Sequence, residues 1–385
     1  MIQKLKNKRI QLSLNAGIAL CYMIYGYFCA VLFYRQSVEL NGKYLSDLPV
    51  HISFGVNHQG YSLMEAILGV IVRDIGSYKL VGIFLALVVM ASIFLTWLFM
   101  RKLAPDVNPL LLHLAAFAVN MVMAFYLPCF NDYRYLGVQS GNIYHNSTYT
   151  GMKMLGMLVL FLYMSCQEIY EQGLGPVRWI CFAVSLILVN MVKPNFFVAF
   201  APAMGIVLLY DLIRKKGTTL LPIIRFGLAV IPSVVVLFYS YMMLFPSGDS
   251  HIIIDPGYCF FLRTRTPLMA ILQTLAFPLW ILAFHRKDLK NNRKYGFSWM
   301  FLLISFLEYF FLAESGVRKN DGNLSWGYCF GIYVVFATSA AVFCRDLKER
   351  KKPLVYYVVA AALFLGHMVF WFQYFHILFM GKIYS

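Results

Sequence analysis

The sequence predicts an all-α protein, a bundle of helices that crosses a membrane many times. Of its 385 residues, 61% are hydrophobic and only 13% are charged, and the mean hydropathy is +0.68. Apolar stretches recur from one end to the other, each about 20 residues long, which is the length a helix needs to cross the hydrocarbon core of a bilayer. The alternating segments of about ten residues that are typical of transmembrane β-barrels do not occur.

These apolar stretches predict about eleven spans and no separate soluble domain, so that residues 1–385 form a single membrane domain. The predicted spans are 12–34, 79–100, 108–128, 149–166, 178–193, 196–212, 221–244, 267–285, 297–313, 327–344 and 354–379. The segment 35–78 is then the first and longest outer loop.

The charge distribution predicts the orientation of the chain. The net charge is +16, and roughly two thirds of the 33 Lys and Arg residues fall on the side of the N-terminus, in short loops. Cytoplasmic loops of membrane proteins are enriched in Lys and Arg, so we expect the N-terminus inside and the C-terminus outside. The positive charge therefore reflects topology and the attraction to anionic lipids. It does not indicate a nucleic-acid partner.

The first outer loop contains SDLPVH at 46–51, which predicts the start of a helix. Asp47 is a residue type that caps free backbone N–H groups, and Pro49 fits the first turn. His51 would lie one turn beyond Asp47 on the same face. This places a carboxylate and an imidazole side by side.

The same loop continues with the sequence SLMEAILGVIVRDIG at 62–76. Glu65, Arg73 and Asp74 interrupt an apolar segment that is too short to span a bilayer comfortably. A pattern of this kind favours a helix in the plane of the interface. The loop is therefore expected to contain two short interfacial helices.

The other outer loops contribute further polar side chains next to apolar flanks. They are Arg134, His145 and Asn146 in 129–148, Lys193 in the tight turn at 193–195, and Glu314 and Arg318 in 314–326. Asn146 also begins an N-S-T sequence, the acceptor pattern for N-glycosylation. Polar groups at the edge of hydrocarbon are costly, which indicates a functional use.

Each of these residues also has a structural explanation. Asp47 would cap a helix, Arg73 would contact headgroups, Lys193 would extend its amine to the interface, and Glu314 would pair with Arg318. Taken together, however, the cations and acids meet at one face of a lipid-embedded bundle. Guanidinium and ammonium groups bind phosphate, and a carboxylate binds a hydroxyl acceptor, so the set predicts a site for a phosphorylated lipid substrate.

An acid shortly after the first span, followed by interfacial helices in a long first outer loop, resembles the GT-C-fold glycosyltransferases. The stretches HNSTY, KPNF and ESGVRKNDGNLSWGY are similar to bacterial membrane proteins grouped near that superfamily. The resemblance implies an enzyme of the bacterial plasma membrane that uses a polyprenyl-phosphate-linked sugar at its outer face. Many relatives carry a soluble C-terminal domain or a paired Asp-Glu, and this chain has neither.

The resemblance also implies roles for the residues. Asp47 stands where the family has its essential acid, and would accept the proton of the acceptor hydroxyl, with Glu314 as the second candidate for a catalytic acid. Arg318, Lys193 and Arg134 are the candidates for contact with the departing phosphate. The remaining substrate-binding candidates are His51, Arg73, His145 and Asn146. The sequence indicates no definite cofactor, and the signal for a divalent metal is weak, although Asp47, His51 and Glu314 are residue types that hold one.

Two other functions use the same side chains. A flippase for lipid-linked saccharides would use the cations and aromatic residues without chemistry, and an O-antigen-type polymerase or ligase would also place catalytic residues in outer loops. Transporters commonly have matched breaks in two halves of the chain, and the sequence indicates one break, at Lys193-Pro194. Three cysteines near the outer face, Cys129, Cys259 and Cys329, are the candidates for a disulfide.

Overall fold

The structure is a computed structural model that describes residues 2–38, 43–44, 46–245 and 250–381, without the side chains of 2–15 and 135–136. Most of this part of the chain is helical. The helices are α1 (Ile2–Val38), α2 (Leu48–Val56), α3 (Leu63–Arg73), α4 (Tyr78–Leu103), α5 (Pro109–Val119), α6 (Arg134–Gly137), α7 (Ser147–Gln167), α8 (Pro176–Val192), α9 (Asn195–Arg214), α10 (Leu220–Gly227), α11 (Ile231–Leu244), α12 (Tyr258–Phe261), α13 (Pro267–Phe284), α14 (Asp288–Asn291), α15 (Arg293–Phe311), α16 (Ser325–Glu349) and α17 (Leu354–Met380). The predicted all-α bundle is therefore confirmed.

Within the described residues, seven helices are long and apolar enough to cross a membrane, or eight if the bent pair α10–α11 is one span. These helices are α1 from Ala16, α4, α7, α9, α13, α16 and α17. Helices α5 and α8 are apolar but shorter. The chain is a multi-pass membrane protein, with fewer full-length spanning helices than the eleven apolar stretches indicated.

The predicted span 108–128 is the clearest departure from the sequence-based expectation. Its helix, α5, ends at Val119, and the following residues form a turn and then an irregular, non-helical segment. Backbone at this depth needs hydrogen-bond partners inside the protein. Met123 N–H donates to the carbonyl of His367 in α17 (3.0 Å), and Phe125 N–H donates to the carbonyl of Gln273 in α13 (2.9 Å). The neighbouring helices thus accept hydrogen bonds from this non-helical segment.

Two other predicted spans are bent. The break between α10 and α11 turns the chain by 41°. Helix α13 has a non-helical residue at Leu275, three residues before Pro278. Proline lacks the N–H group and clashes with the preceding turn, which accounts for the kink.

The first outer loop contains the two short helices predicted for it, α2 and α3, which cross at very close range. A Cβ atom at Gly55 would lie 2.0 Å from the carbonyl oxygen of Glu65, and one at Gly69 would lie 2.4 Å from the backbone of Gly55. Only glycine permits such an approach. The hydroxyl of Ser62, the N-cap of α3, donates to the carbonyl of Val192 (2.7 Å), so the hairpin is also tied to the end of α8.

A short antiparallel sheet, which the hydrophobic pattern did not reveal, joins two of the loops. Strand β1 (Ile252–Ile254) pairs with β2 (Leu312–Glu314), with Ile252 opposite Glu314. This pairing holds the segment after α11 against the segment before α16. Helix α16 itself is almost entirely buried at the centre of the bundle, while α17 lies at the periphery. The polar loops thus surround the first turn of the central helix.

Candidate functional site

A cavity of about 600 Å³ lies where α2, α3, the segment before α7, the α8–α9 turn and the start of α16 meet. We call it the polar cavity. It is lined by Asp47, Val50, His51, Phe54, Gln59, Gly60, Tyr61, Glu65, Gln139, Ile143, His145, Asn146, Lys193, Met243, Leu244, Arg263, Arg318, Asp321, Asn323, Ser325 and Trp326. Six of the side chains selected from the sequence share this cavity: Asp47, His51, His145, Asn146, Lys193 and Arg318.

Asp47 is the N-cap residue of α2, but its side chain does not cap the helix. Instead the hydroxyl of Ser46 accepts from Leu48 N–H (3.1 Å), and the Asp47 carboxylate accepts from Asn146 Nδ2 (2.9 Å). The expected capping role of Asp47 is therefore wrong, because the neighbouring serine takes it. The carboxylate of Asp47 is left on the cavity wall.

Asn146 connects the loop before α7 to α2. Its Oδ1 accepts from Tyr149 N–H (2.8 Å), as the N-cap of α7, and from the Thr148 hydroxyl (2.8 Å). Its Nδ2 donates to Asp47 and lies 3.4 Å from Nε2 of His51. Only 4% of Asn146 is exposed, so its amide serves these contacts and is not presented as a glycosylation acceptor.

Lys193 lies between α8 and α9, and its amine turns into the protein. Only 7% of the residue is exposed; Nζ donates to the Thr148 hydroxyl (2.9 Å) and lies 4.7 Å from the centre of the Trp326 ring. Burial lowers the pKa of Lys193 from 10.5 to about 8, against the opposing effect of nearby carboxylates, among them Asp47. The lysine is thus a buried cation at the cavity and does not extend toward the interface.

Glu314 and Arg318 form the predicted ion pair, with Nε of Arg318 3.2 Å from Oε1 of Glu314. Oε2 of Glu314 accepts from Asn323 Nδ2 (2.7 Å). Glu314 lines a smaller pocket of about 90 Å³ that shares Lys193, Arg318, Asn323, Tyr61 and Trp326 with the polar cavity. Glu314 thus holds two residues of the cavity wall and does not line the cavity itself.

Glu65 belongs to the cavity although its pairing could not be read from the sequence. Its side chain is 3% exposed, and its Oε1 lies 2.8 Å from Nδ1 of His51. Its Oε2 accepts from the N–H of Ser62 (3.1 Å), which completes a capping box at the start of α3. The Ser62-x-x-Glu65 spacing is a readable signal for that box. The partner on α2 depends on how the two helices cross.

Two predicted phosphate-binding residues lie outside the polar cavity. Arg73 is exposed at the end of α3, pairs with the adjacent Asp74 (2.6 Å) and contacts a neighbouring histidine. The guanidinium carbon of Arg134 lies 4.6 Å from the centre of the Tyr126 ring. These two arginines therefore do not line the cavity that contains Lys193 and Arg318.

The remaining expectations concern metals and cysteines. Asp47 and His51 line the cavity, but Glu314 lies in the adjoining pocket, and no cluster of three or more metal-ligating His, Cys, Asp or Glu side chains occurs in the described part of the chain. Cys129, Cys259 and Cys329 are free thiols.

The cavity thus combines two chemical functions within one space. Lys193 and Arg318 supply positive charge, and Asp47 and the His51–Glu65 pair supply groups that accept protons.

Compared with known proteins, the sequence matches no protein-family model and has no significant match among curated proteins.

Proposed function

We propose that this protein is a membrane glycosyltransferase that moves a sugar from a polyprenyl-phosphate donor to an acceptor glycan, lipid or polymer. The observation that carries the proposal is the joint presence of Lys193, Arg318, Asp47 and His51 on the wall of one cavity. Cations stabilise a departing phosphate, and a base removes the proton of an attacking hydroxyl.

The phosphate position is supported by the two cations. The guanidinium of Arg318 has five N–H donors in a planar fork, a shape that suits phosphate. Its Nε donates to Glu314 (3.2 Å), and Asn323 in turn donates to the other oxygen of Glu314 (2.7 Å). Lys193 approaches from the α8–α9 turn, where burial makes its charge more effective because water does not screen it.

A lipid-linked substrate is supported by the pocket of about 90 Å³ that adjoins the cavity. Its apolar wall comes from α9 and α11, through Val198, Leu237, Tyr241 and Leu244. The three α11 residues are spaced i, i+4 and i+7, so they lie on one face of that helix. A phosphate at Lys193 and Arg318 would therefore have an apolar surface beside it for its hydrocarbon chain.

The proposed reaction is a direct displacement at the anomeric carbon. The acceptor oxygen forms the new bond, and the electron pair of the broken bond leaves with the phosphate. The transition state of such a transfer carries positive charge on the sugar ring. Asp47, with its carboxylate on the cavity wall, would stabilise that charge or take the proton of the acceptor.

We place the reaction at the outer face of a bacterial plasma membrane, with the N-terminus in the cytoplasm. The support is the concentration of Lys and Arg in the loops on the side of the N-terminus. Labelling a cysteine introduced at Lys290 tests the orientation. We expect labelling only from the inside, and labelling from the outside would contradict it.

The function is tested by following labelled hexose from a polyprenyl-phosphate hexose in proteoliposomes. Asp47→Asn retains the hydrogen bond from Asn146 but removes the negative charge, and we expect transfer to fall about 10²-fold. Asp132→Asn is the matched control, since Asp132 is exposed outside the polar cavity, and should leave transfer unchanged. Equal transfer by wild type and Asp47→Asn would remove Asp47 from the mechanism.

A flippase for lipid-linked saccharides is the second candidate, because the structure has interrupted spans. The α10–α11 bend, the kink at Leu275 and the non-helical segment after α5 are the kind of breaks that transporters use. Proteoliposomes separate the two functions. Movement of intact lipid-linked sugar across the bilayer, without transfer to an acceptor, would favour the flippase.

A further inference from the structure

We propose that His51 is the group that takes the proton from the acceptor hydroxyl, and that Glu65 is the positioning residue that makes it competent. The inference rests on the proposed transfer reaction and assigns a base to it. It depends on the arrangement of α2 and α3, which joins an imidazole on the cavity wall to a buried carboxylate.

The contacts of Glu65 determine which nitrogen of His51 carries hydrogen. A buried carboxylate needs hydrogen-bond donors at both oxygens. Ser62 N–H supplies one to Oε2, and Nδ1 of His51, at 2.8 Å from Oε1, must supply the other. The neutral imidazole therefore has its hydrogen on Nδ1 and its lone pair on Nε2. This is how a carboxylate orients the catalytic histidine in hydrolase triads.

The lone pair on Nε2 is available to a substrate. The nearest donor to it is Nδ2 of Asn146 at 3.4 Å, longer than a well-formed hydrogen bond. That same Nδ2 donates to the carboxylate of Asp47 at 2.9 Å, so the amide is committed to Asp47. A hydroxyl bound in the cavity would find one oxygen of Asp47 engaged by Asn146, and on His51 a nitrogen with only this long contact.

The hairpin of α2 and α3 holds the pair rigidly. Backbone contact at Gly55 and Gly69 sets the distance between the two helices, and Ser62 ties α3 to the carbonyl of Val192. Val192 adjoins Lys193, so the base and the phosphate-binding cation share one support. The other titratable or charged groups of the cavity are Asp47, Tyr61, His145, Lys193, Arg263, Arg318 and Asp321.

The step balances without a co-reactant. The acceptor O–H proton passes to Nε2 of His51 as the acceptor oxygen bonds to the anomeric carbon. The bond from that carbon to the phosphate oxygen breaks, and its electron pair leaves on the phosphate beside Lys193 and Arg318. The imidazolium, stabilised by Glu65, then returns its proton to water.

The substitution Glu65→Gln tests the pairing with little change in volume. Glutamine also completes a capping box, so α3 retains its start. A glutamine has only one acceptor oxygen, and when that oxygen serves Ser62 N–H, its NH₂ group faces Nδ1 of His51. The histidine must then accept at Nδ1 and carry its hydrogen on Nε2. The expected result is a reversed tautomer in an otherwise intact protein.

The tautomer of His51 can be measured without any substrate. The full-length protein is treated with diethyl pyrocarbonate, and mass spectrometry of the peptide containing His51 gives the rate of modification. The reagent attacks an unprotonated imidazole nitrogen. We expect modification of His51 to slow by about tenfold in Glu65→Gln, as the Nε2 lone pair is lost. The exposed His251, on another loop, is the internal reference and should react equally in both proteins. Unchanged modification of His51 would overturn the pairing.

Sugar transfer measured across pH tests the role of the base. Wild type and Asp47→Asn should share an increase of rate with pH that His51→Gln lacks, and His51→Gln should be about 10²-fold slower. A pH rise that persists in His51→Gln and disappears in Asp47→Asn would make Asp47 the base. Absence of transfer in wild type, with the chemical modification as expected, would reject the proposed function and leave the oriented imidazole established.

Discussion

Two histidines, His51 and His285, pair with carboxylates in different ways at opposite ends of the bundle. Each has Nδ1 at 2.8 Å from a carboxylate oxygen, of Glu65 and of Asp288 respectively. His285 also has Nε2 at 2.8 Å from Asp346. Asp346 and the cavity residue Trp326 both belong to α16, about 30 Å apart along that helix.

The difference lies in the second ring nitrogen. His285 borders a surface pocket as well, but both of its nitrogens are bound to carboxylates, and Asp346 also accepts from the hydroxyl of Tyr356 (2.5 Å). His285 therefore joins α13, α16 and α17 as a structural connection. His51 is bound on one side only and presents its other nitrogen to the polar cavity. A histidine–carboxylate pair thus connects helices in one place and, in the proposed mechanism, serves chemistry in the other.

The largest expected effect on stability is that of His285→Gln. The substitution removes the imidazole that pairs with the carboxylate of Asp346, whose side chain is only 5% exposed. We therefore expect the free energy of unfolding to fall by about 3 kcal/mol. His51→Gln should cost about 1 kcal/mol, because Glu65 keeps the Ser62 N–H donor and the glutamine amide can donate in place of the imidazole. Denaturant unfolding in detergent, followed by tryptophan fluorescence, compares the two. Equal losses would remove the distinction between them.

The next prediction concerns Lys193, which lies outside the spanning helices. Both the stability of the protein and its affinity for phosphate should depend on pH through this residue. Burial lowers its pKa to about 8, so its charge costs stability below pH 8, and this cost disappears as pH rises toward 10.5. Phosphate binding needs the charged form, so affinity for undecaprenyl phosphate should fall by up to about tenfold per pH unit above 8.

Native mass spectrometry or a thermal-shift titration in nanodiscs measures that affinity. Lys193→Arg keeps its charge at every pH of the experiment and serves as the control, with an expected flat response. A fall of equal slope in both proteins would assign the pH dependence to another group.

The smallest effect is expected at the apolar wall beside the cavity. Leu237→Trp fills the space between α9 and α11, and should weaken binding of undecaprenyl phosphate about fivefold, or about 1 kcal/mol. Val235→Trp is the matched control, because Val235 is 64% exposed and lies outside that pocket. Equal binding by the two variants would exclude this pocket as the place of the hydrocarbon chain.

The sequence by itself determined that this is an all-α membrane bundle with two short helices in its first long loop. These features depend on local properties, namely the length of apolar runs and the residues that start helices. The sequence also selected Asp47, His51, Asn146, Lys193 and Arg318, which share the polar cavity. Polar residues beside hydrocarbon are unusual enough to be recognised one at a time.

The tertiary structure decided which of these groups act on one another. Asp47 meets Asn146 across 99 positions of the chain, and His51 meets Glu65 across 14, through helix crossings that no local pattern specifies. The same is true of the β1–β2 pairing and of the non-helical segment after α5, whose partners lie on α13 and α17. Composition determines which side chains leave the hydrocarbon, but the geometry of packed helices determines which donors and acceptors come within hydrogen-bonding distance.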